Sequence, residues 1–298
     1  MVVRSRSGFY IVKSLILTIL ALIAFAANSV LCRMALGEER IDASSFTVIR
    51  LLSGVLVLLT IVKITNSKKS LSSRGSWFAG MMLFLYAITF SFAYMTLDTG
   101  TGALILFGAV QITMIFLSLF SGNRLHLSEW VGVSIAFMGF VYLVFPGVTA
   151  PSVTGFILMS VAGIAWGVYT LKGRGSDDPL LETSSNFLRA VPFIIVLAIT
   201  AVNTAQYSIE GILLAVLSGG IASGIGYAIW YSALGGLSVT QAAVVQLSVP
   251  VIAALGGVIF VSETLTWRLI LSSLMILGGI LLVVMGRYYF ITARLNTK

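Results

Sequence analysis

Long apolar segments recur along the whole chain, and each is long enough to cross a lipid bilayer as a helix. About 20 apolar residues span the roughly 30 Å hydrocarbon core. Ten such segments are present: Ser14–Leu31, Phe46–Ile64, Trp77–Leu97, Gly102–Phe120, Trp130–Phe145, Val153–Leu171, Phe187–Val202, Ile212–Ser232, Val239–Val261 and Leu269–Gly286. Their apolar content is continuous rather than alternating, which favours helices over barrel strands. The sequence predicts an all-α integral membrane protein with ten transmembrane helices.

The composition excludes a soluble enzyme and several kinds of site. Of the 298 residues, 58% are hydrophobic and 9% are charged, whereas soluble domains carry about 25% charged residues. One cysteine, Cys32, and one histidine, His126, cannot form an internal disulfide, a cysteine-based zinc site or a histidine-rich metal centre. The ATP-binding motif G-x-x-x-x-G-K-[ST] does not occur. We therefore predict no catalytic residue, no metal and no cofactor.

The distribution of basic residues predicts the orientation. Of the 18 Lys and Arg residues, Arg33, Arg40 and Arg268 lie on one side of the predicted helices, and Arg50 and Arg189 lie near helix starts. The other thirteen lie on the opposite side, which the positive-inside rule identifies as cytoplasmic. Both termini are therefore predicted to be cytoplasmic in a bacterial inner membrane. The net charge of +8 is interpreted as a topology signal, with no nucleic acid as a partner.

The N-terminus also fits a cleaved signal peptide. Arg4, Arg6 and Lys13 precede an apolar stretch, and Ala24-Phe25-Ala26 has the small-x-small pattern of a cleavage site. A retained membrane helix is favoured because this segment has a counterpart later in the chain.

The second half of the chain repeats the first at a spacing near 140 residues. Ser45–Arg50 matches Ser184–Arg189, and Ala24–Ala26 matches Ala165–Gly167. Each half, residues 1–147 and 148–298, therefore holds five helices. Because five is odd, the second half enters the membrane from the opposite face and forms an inverted repeat. Many secondary transporters have this architecture and hold substrate near the midplane between the halves.

Several motifs occur in one order along the chain. They are Arg50 and Arg189 at helix starts, Gly102–Gln111, Gly163–Tyr169, Val249-Pro250 and Ser262–Leu265. In this order they resemble the EamA-type ten-helix members of the drug/metabolite transporter superfamily, over essentially the whole chain. Phe25-Ala26 stands where Trp-Gly is usual in that family, and Asn123 stands where Glu is usual. The resemblance implies transport of small molecules, commonly export of amino acids or other metabolites.

Aromatic and amide side chains at mid-depth are the first candidate substrate-binding residues. They are Trp166, Tyr169, Tyr86 and Asn28, and Trp230, which lies toward the end of its predicted span, is a further candidate. A polar atom at this depth needs a bonded neighbour, so these side chains are expected to face the bundle interior. An aromatic pocket there suits apolar or aromatic organic substrates, with a few polar groups to orient them.

A proline, two glutamines and two glycines are candidates for binding or gating. Pro250 is expected to kink the ninth helix and to free the carbonyl of Gln246. Gln246 and Gln111 either bind substrate or tie two helices together, because an amide in lipid needs a partner. Gly163 and Gly167 form a small-xxx-small step that lets helices approach closely, and we predict a role in packing and gating.

Charged residues are predicted to lie outside the substrate path. All ten acidic residues fall in loops or at span ends, so the carboxylate that proton-coupled carriers usually hold in the membrane is absent. Glu263 is expected to pair with Arg268. Arg50 and Arg189 are expected to contact helix ends or lipid headgroups in preference to substrate.

A carrier is the function that these features favour most. We expect export of amino acids, with aromatic or apolar ones as candidates, by alternating access without ATP hydrolysis. The alternatives are an efflux carrier for drugs or other metabolites, a channel or scaffold, and an intramembrane enzyme, although no cluster of nucleophiles or acids supports the last. The predicted partners are a small-molecule substrate and the lipid bilayer, and the oligomeric state stays open.

Overall fold

Twelve α-helices form a membrane-embedded bundle in the computed structural model, which describes residues 2–65, 75–120, 127–147, 150–173, 176, 178–234, 237 and 239–296. The helices are α1 Val2–Leu36, α2 Ala43–Ile64, α3 Trp77–Tyr94, α4 Thr99–Phe120, α5 Leu127–Val144, α6 Val153–Lys172, α7 Pro179–Ala201, α8 Ile209–Val216, α9 Gly226–Leu234, α10 Val239–Gln246, α11 Val249–Val261 and α12 Trp267–Asn296. Asn123 and His126 lie outside the described residues.

Ten apolar segments cross the bundle, as predicted. Nine segments of the described chain have the length and hydropathy of membrane spans, and the shorter apolar helix Glu129–Val144 is the tenth. The eighth span consists of α8, a π-helical segment at Leu217–Ile225, and α9. The ninth span consists of α10 and α11.

The ninth span is broken rather than kinked at its proline. α10 ends at Gln246, two turn residues follow, and Pro250 lies in the first turn of α11. Proline is favoured at this position because the first turn of a helix needs no partner for its N–H. The prediction of a kinked continuous helix is therefore wrong in form, since the carbonyl of Gln246 is already at a helix end.

Packing between the two halves has the symmetry of an inverted repeat. α2 packs on its repeat partner α7, α4 on α11, and α5 on α12. Two further sets of contacts come in related pairs: α1 with the eighth span corresponds to α3 with α6, and α1 with α11 corresponds to α4 with α6. The two five-helix halves therefore share one interface, and the fold class predicted from the sequence is confirmed.

One carboxylate joins two loops on the face where α1 ends and α2 begins, called here the Asp42 face. Asp42 accepts hydrogen bonds from the N–H groups of Ser44 and Ser45 and so caps α2, and its other oxygen accepts from Gln206 N at 2.9 Å. Burial raises the pKa of Asp42, but these donors outweigh burial and lower it below its usual value. Asp42 is therefore a charged cap that also holds the α7–α8 loop.

Candidate functional site

A small cavity lies at the interface between the two halves. Its lining residues are Phe25, Asn28, Ser29, Tyr86, Phe90, Leu106, Phe107, Trp166, Ala222 and Tyr227. They come from α1, α3 and α4 of the first half and from α6 and the eighth span of the second. The cavity encloses about 20 Å³, which is room for about one water molecule. This volume is too small for an amino acid, so a substrate fits only if the helices around the cavity separate.

Aromatic rings form one wall of the cavity around Trp166. The centre of the Trp166 ring lies 4.9 Å from that of Tyr86, 5.0 Å from that of Tyr227 and 5.3 Å from that of Tyr169. Phe25, which also lines the cavity, packs edge to face with Tyr227, at 5.9 Å between ring centres. Rings at these separations gain from their mutual geometry as well as from burial. This wall can stack against a flat or apolar solute.

A short polar network crosses the cavity from one half to the other. Ser218 Oγ donates to Asn28 Oδ1 at 2.6 Å, and Asn28 Nδ2 donates to Tyr86 Oη at 3.4 Å. Ser218 belongs to the π-helical segment, Asn28 to α1 and Tyr86 to α3. The network therefore links two helices of the first half with one span of the second, at the level of the cavity.

Arg50 is buried beside this network, which overturns the expectation that it meets lipid headgroups. Its side chain is 2% exposed, and its Nη2 donates to Tyr86 Oη at 3.0 Å. The guanidinium carbon lies 4.7 Å from the ring centre of Phe90 and 5.2 Å from that of Tyr86. These rings draw the cation inward because their faces carry negative charge density. Nη1 has no hydrogen-bond partner among the described residues.

The other four predicted binding residues do not line the cavity, although two of them, Tyr169 and Trp230, contact lining residues. Tyr169 is buried behind Trp166, and Trp230 is buried with its ring 5.7 Å from that of Phe25. Gln111 is buried on α4, and its Nε2 has no partner in the described part of the chain. Gln246 is half-buried at the end of α10, away from the cavity lining. Trp166, Tyr86 and Asn28 are the predicted residues that the structure brings together at the cavity.

Gly163 and Gly167 hold α6 against α4. A Cβ at Gly163 would lie 2.7 Å from Leu106 O, and one at Gly167 would lie 3.2 Å from Val110 O. These backbones are therefore close enough that side chains would push them apart. This geometry fits the predicted role of Gly163 and Gly167 in helix packing. Their role in gating stays a prediction.

An ion cluster lies above the cavity on the Asp42 face. Arg33 Nε lies 3.2 Å from Glu263 Oε1, and Arg33 Nη2 lies 3.5 Å from Asp98 Oδ1. Glu263 also accepts from the N–H of Thr99, the first residue of α4, at 2.9 Å and from its hydroxyl at 3.0 Å. The expected pair with Arg268 is wrong, because Arg268 instead donates to the carbonyls of Leu143 and Phe145.

Sequence reasoning missed several residues of the site, for identifiable reasons. Arg50 lies seven residues after Ala43, about 10 Å into α2 at 1.5 Å per residue, which is deeper than an interfacial arginine needs to be. Phe25 and Phe90 carry no polar atom to distinguish them from ordinary core residues. Ser218 was hidden among small residues, although the run Ser218-Gly219-Gly220 is a signal of close helix contact.

Comparison with known proteins gives relatives across most of the chain. An uncharacterised protein of Pseudomonas aeruginosa is 47% identical over 275 residues, covering 92% of this chain and 96% of the relative. An uncharacterised transporter of Archaeoglobus fulgidus is 27% identical and covers 68% and 74% of the two chains. A probable amino-acid metabolite efflux pump of Escherichia coli is 24% identical and covers 69% and 77%.

A solved structure and a family model match the same architecture. The crystal structure of a protein with 17% sequence identity superposes with a TM-score of 0.62, over 89% of this chain and 96% of the other, which supports the fold. The model of the EamA-like transporter family matches twice, at residues 12–145 and 153–285. Each match covers one five-helix half. With 47% identity to a nearly full-length relative as well, the chain belongs to the EamA-like transporter family, within the drug/metabolite transporter superfamily.

Proposed function

We propose that this membrane transporter exports amino acids with aromatic or apolar side chains, by alternating access and without ATP hydrolysis. The observation that carries the proposal is the aromatic cavity at the interface of two inverted halves. A site between inverted repeats is where secondary transporters hold substrate. The Escherichia coli relative, a probable amino-acid metabolite efflux pump, supports the substrate class and the direction.

The proposed membrane is the bacterial inner membrane, with both termini in the cytoplasm. The excess of Lys and Arg on the side of the termini supports this orientation. The Asp42 face then contacts the periplasm, and the ion cluster of Arg33, Asp98 and Glu263 lies between the cavity and that compartment. An export cycle would open this cluster after substrate enters from the cytoplasmic side.

The proposed transport is expected to be saturable and independent of a proton gradient. Among the described residues, no carboxylate or histidine lines the cavity, so the usual proton carrier is missing from that site. Proteoliposomes preloaded with an unlabelled aromatic amino acid should accumulate the labelled one by counterflow, without ATP and in the presence of a protonophore. Flux that never saturates would indicate a channel, and uphill uptake driven by a pH gradient would contradict uncoupled transport.

Trp166→Ala is expected to weaken transport far more than folding. Trp166 lines the cavity, where its ring can stack on an aromatic ligand, and such a contact contributes about 0.5–1.5 kcal/mol beyond the burial of its area. Loss of the stacking and of the buried area together should raise the KM for an aromatic amino acid about tenfold. Trp77→Ala is the matched control, because Trp77 begins α3 and is 61% exposed. Normal counterflow by Trp166→Ala, with the melting temperature unchanged, would remove the basis for the aromatic site.

A further inference from the structure

We propose that Arg50 binds the carboxylate of a small organic anion, so that the ligands of the central cavity are carboxylates with an apolar or aromatic body. The inference rests on the proposed function for the place of the ligand, but it concerns which chemical group the cavity selects. Its evidence is the position of one buried cation and the hydrogen-bond donors that surround it.

A buried arginine is costly unless its charge is compensated. Arg50 is 2% exposed inside a membrane span, and buried charges in such spans pair with one another or serve a functional path. No ion pair to Arg50 is formed by the carboxylates that the structure describes. Two aromatic rings compensate part of the charge. An anion from outside the protein is the missing partner.

The unused donors around Arg50 match the geometry of a carboxylate. Nη2 is held by Tyr86 Oη, while Nη1 has no partner among the described residues. Tyr86 Oη accepts from both Arg50 and Asn28, which occupies its two lone pairs and leaves its own O–H to donate. A guanidinium N–H beside a phenol O–H offers two donors, one for each oxygen of a carboxylate.

The cavity next to these donors supplies the rest of the ligand's environment. Phe90 and Tyr86 each contact the Arg50 guanidinium and also line the cavity, so the cation and the cavity share a wall. The wall formed by Trp166 and Tyr227 is aromatic, and no acidic side chain lines the cavity in the described part of the chain. An amino group would therefore meet ring faces rather than a carboxylate. The cavity is expected to select for the acid group and to depend much less on the amine.

The test compares matched ligands on the purified full-length protein in detergent. L-Phenylalanine, 3-phenylpropionate, L-phenylalaninamide and 3-phenylpropanamide are titrated, together with the remaining amino acids, their des-amino acids and their amides. Binding is followed by tryptophan fluorescence and by thermal shift. Each carboxylate that binds should do so at least tenfold more tightly than its amide, because charge-assisted hydrogen bonds are lost with the charge. Removal of the amine should change the affinity much less.

Variants then assign the preference to Arg50. Arg50→Gln should abolish the preference for carboxylates, and Arg50→Lys should restore only part of it because lysine lacks the planar fork. Arg189→Gln is the matched control, since Arg189 occupies the corresponding position of the second half and donates to Ser185 O in its own helix. If Arg50→Gln does not fold, the preference for carboxylates over amides is still measured in the wild type. Tyr86→Phe, which removes the phenol donor, should then weaken that preference.

Two results overturn the inference. One is equal affinity for acids and amides, or no measurable binding of any carboxylate. The other is an acid preference that survives Arg50→Gln. Both results are distinct from failure of the proposed function. Carboxylates that bind but show no counterflow would support the site at Arg50 and refute the carrier function. Neutral amides that exchange as readily as the acids would support the carrier function and refute the site.

Discussion

Replacement of Gly219 with alanine is expected to reduce stability and transport more than most other single Gly→Ala substitutions in this protein. Gly219 lies in the π-helical segment of the eighth span, directly against α2. A Cβ at this position would overlap Arg50 O and Ser53 Oγ, closer than real Cβ atoms approach other atoms. Neither group can yield easily, because Ser53 Oγ already donates to Arg50 O at 2.9 Å.

The overlap would reach the candidate site as well as the packing. Arg50 O belongs to the residue whose guanidinium contacts Tyr86 and Phe90, and the neighbouring Ser218 donates to Asn28. A shift of the π-helical segment therefore moves both sides of the cavity. We expect Gly219→Ala to lower stability by about 1–3 kcal/mol, as overpacking in cores does, and to reduce counterflow at least tenfold.

Two other glycines give matched controls for Gly219→Ala. A Cβ at Gly278 would meet nothing within 4 Å among the described residues, and one at Gly220 would meet Val57 Cγ2 at 3.2 Å. Gly278→Ala should be neutral or slightly stabilising, because alanine favours helix over glycine by about 1 kcal/mol. The melting temperatures and counterflow rates of Gly219→Ala, Gly220→Ala and Gly278→Ala test whether the close contact at Gly219 causes the losses. Equal behaviour of Gly219→Ala and Gly278→Ala would show that α2 and the eighth span do not approach this closely.

The number of helices and the repeat could be predicted because they depend on properties that are local in sequence. Apolar length determines what can cross a bilayer, and the corresponding segments Ser45–Arg50 and Ser184–Arg189 lie in the N-terminal halves of α2 and α7, which pack on each other. Mid-depth polarity likewise indicated Trp166, Tyr86 and Asn28, because a polar atom at that depth must find a partner inside the bundle.

The partners of charged residues could not be predicted, because they depend on contacts between distant segments. Glu263 has Arg268 five residues away in sequence, yet it binds Arg33 and Thr99 from α1 and α4. The left-handed conformation of Ser262, with φ of 56°, ends α11, and the N–H of Glu263 then donates to Gly257 O at 3.1 Å. Arg50 is a similar case, since only the arrangement of α2 beside α3 shows that Tyr86 and Phe90 are within its reach.

Glu263→Ala is expected to open the Asp42 face of the transporter. Glu263 accepts from Arg33 Nε at 3.2 Å and from Thr99 N at 2.9 Å, and so joins the end of α1 to the start of α4. Its negative charge also lies at the N-terminal end of α4, where the helix dipole favours an anion. The cluster lies above the cavity because Arg33 follows Asn28 and Ser29 on α1 by about one helical turn. Separation of the helices on this face requires these bonds to break.

The native cysteine reports this opening without a new mutation. Cys32 precedes Arg33 in α1 and is fully buried in this structure. Hydrogen bonds to charged groups contribute about 1.5–3 kcal/mol each, so their loss should raise the open population, and hence the rate of Cys32 alkylation, about tenfold or more. A membrane-impermeant maleimide added outside intact cells measures that rate, with Cys32→Ser as the blank.

Glu210→Ala is the matched control for Glu263→Ala. Glu210 pairs with Arg40 on the same face, but its side chain is 64% exposed, and exposed ion pairs contribute little. Alkylation of Cys32 should therefore stay at the wild-type rate in Glu210→Ala. An aromatic amino acid bound in the cavity should change the alkylation rate in Glu263→Ala, where the Asp42 face opens, and not in Glu210→Ala. Identical rates for Glu263→Ala and Glu210→Ala would show that the ion cluster is not the barrier on this face. Faster alkylation that requires a permeant maleimide would show that the barrier is correct but the proposed orientation is reversed, because the reagent then reaches Cys32 only from the cytoplasm.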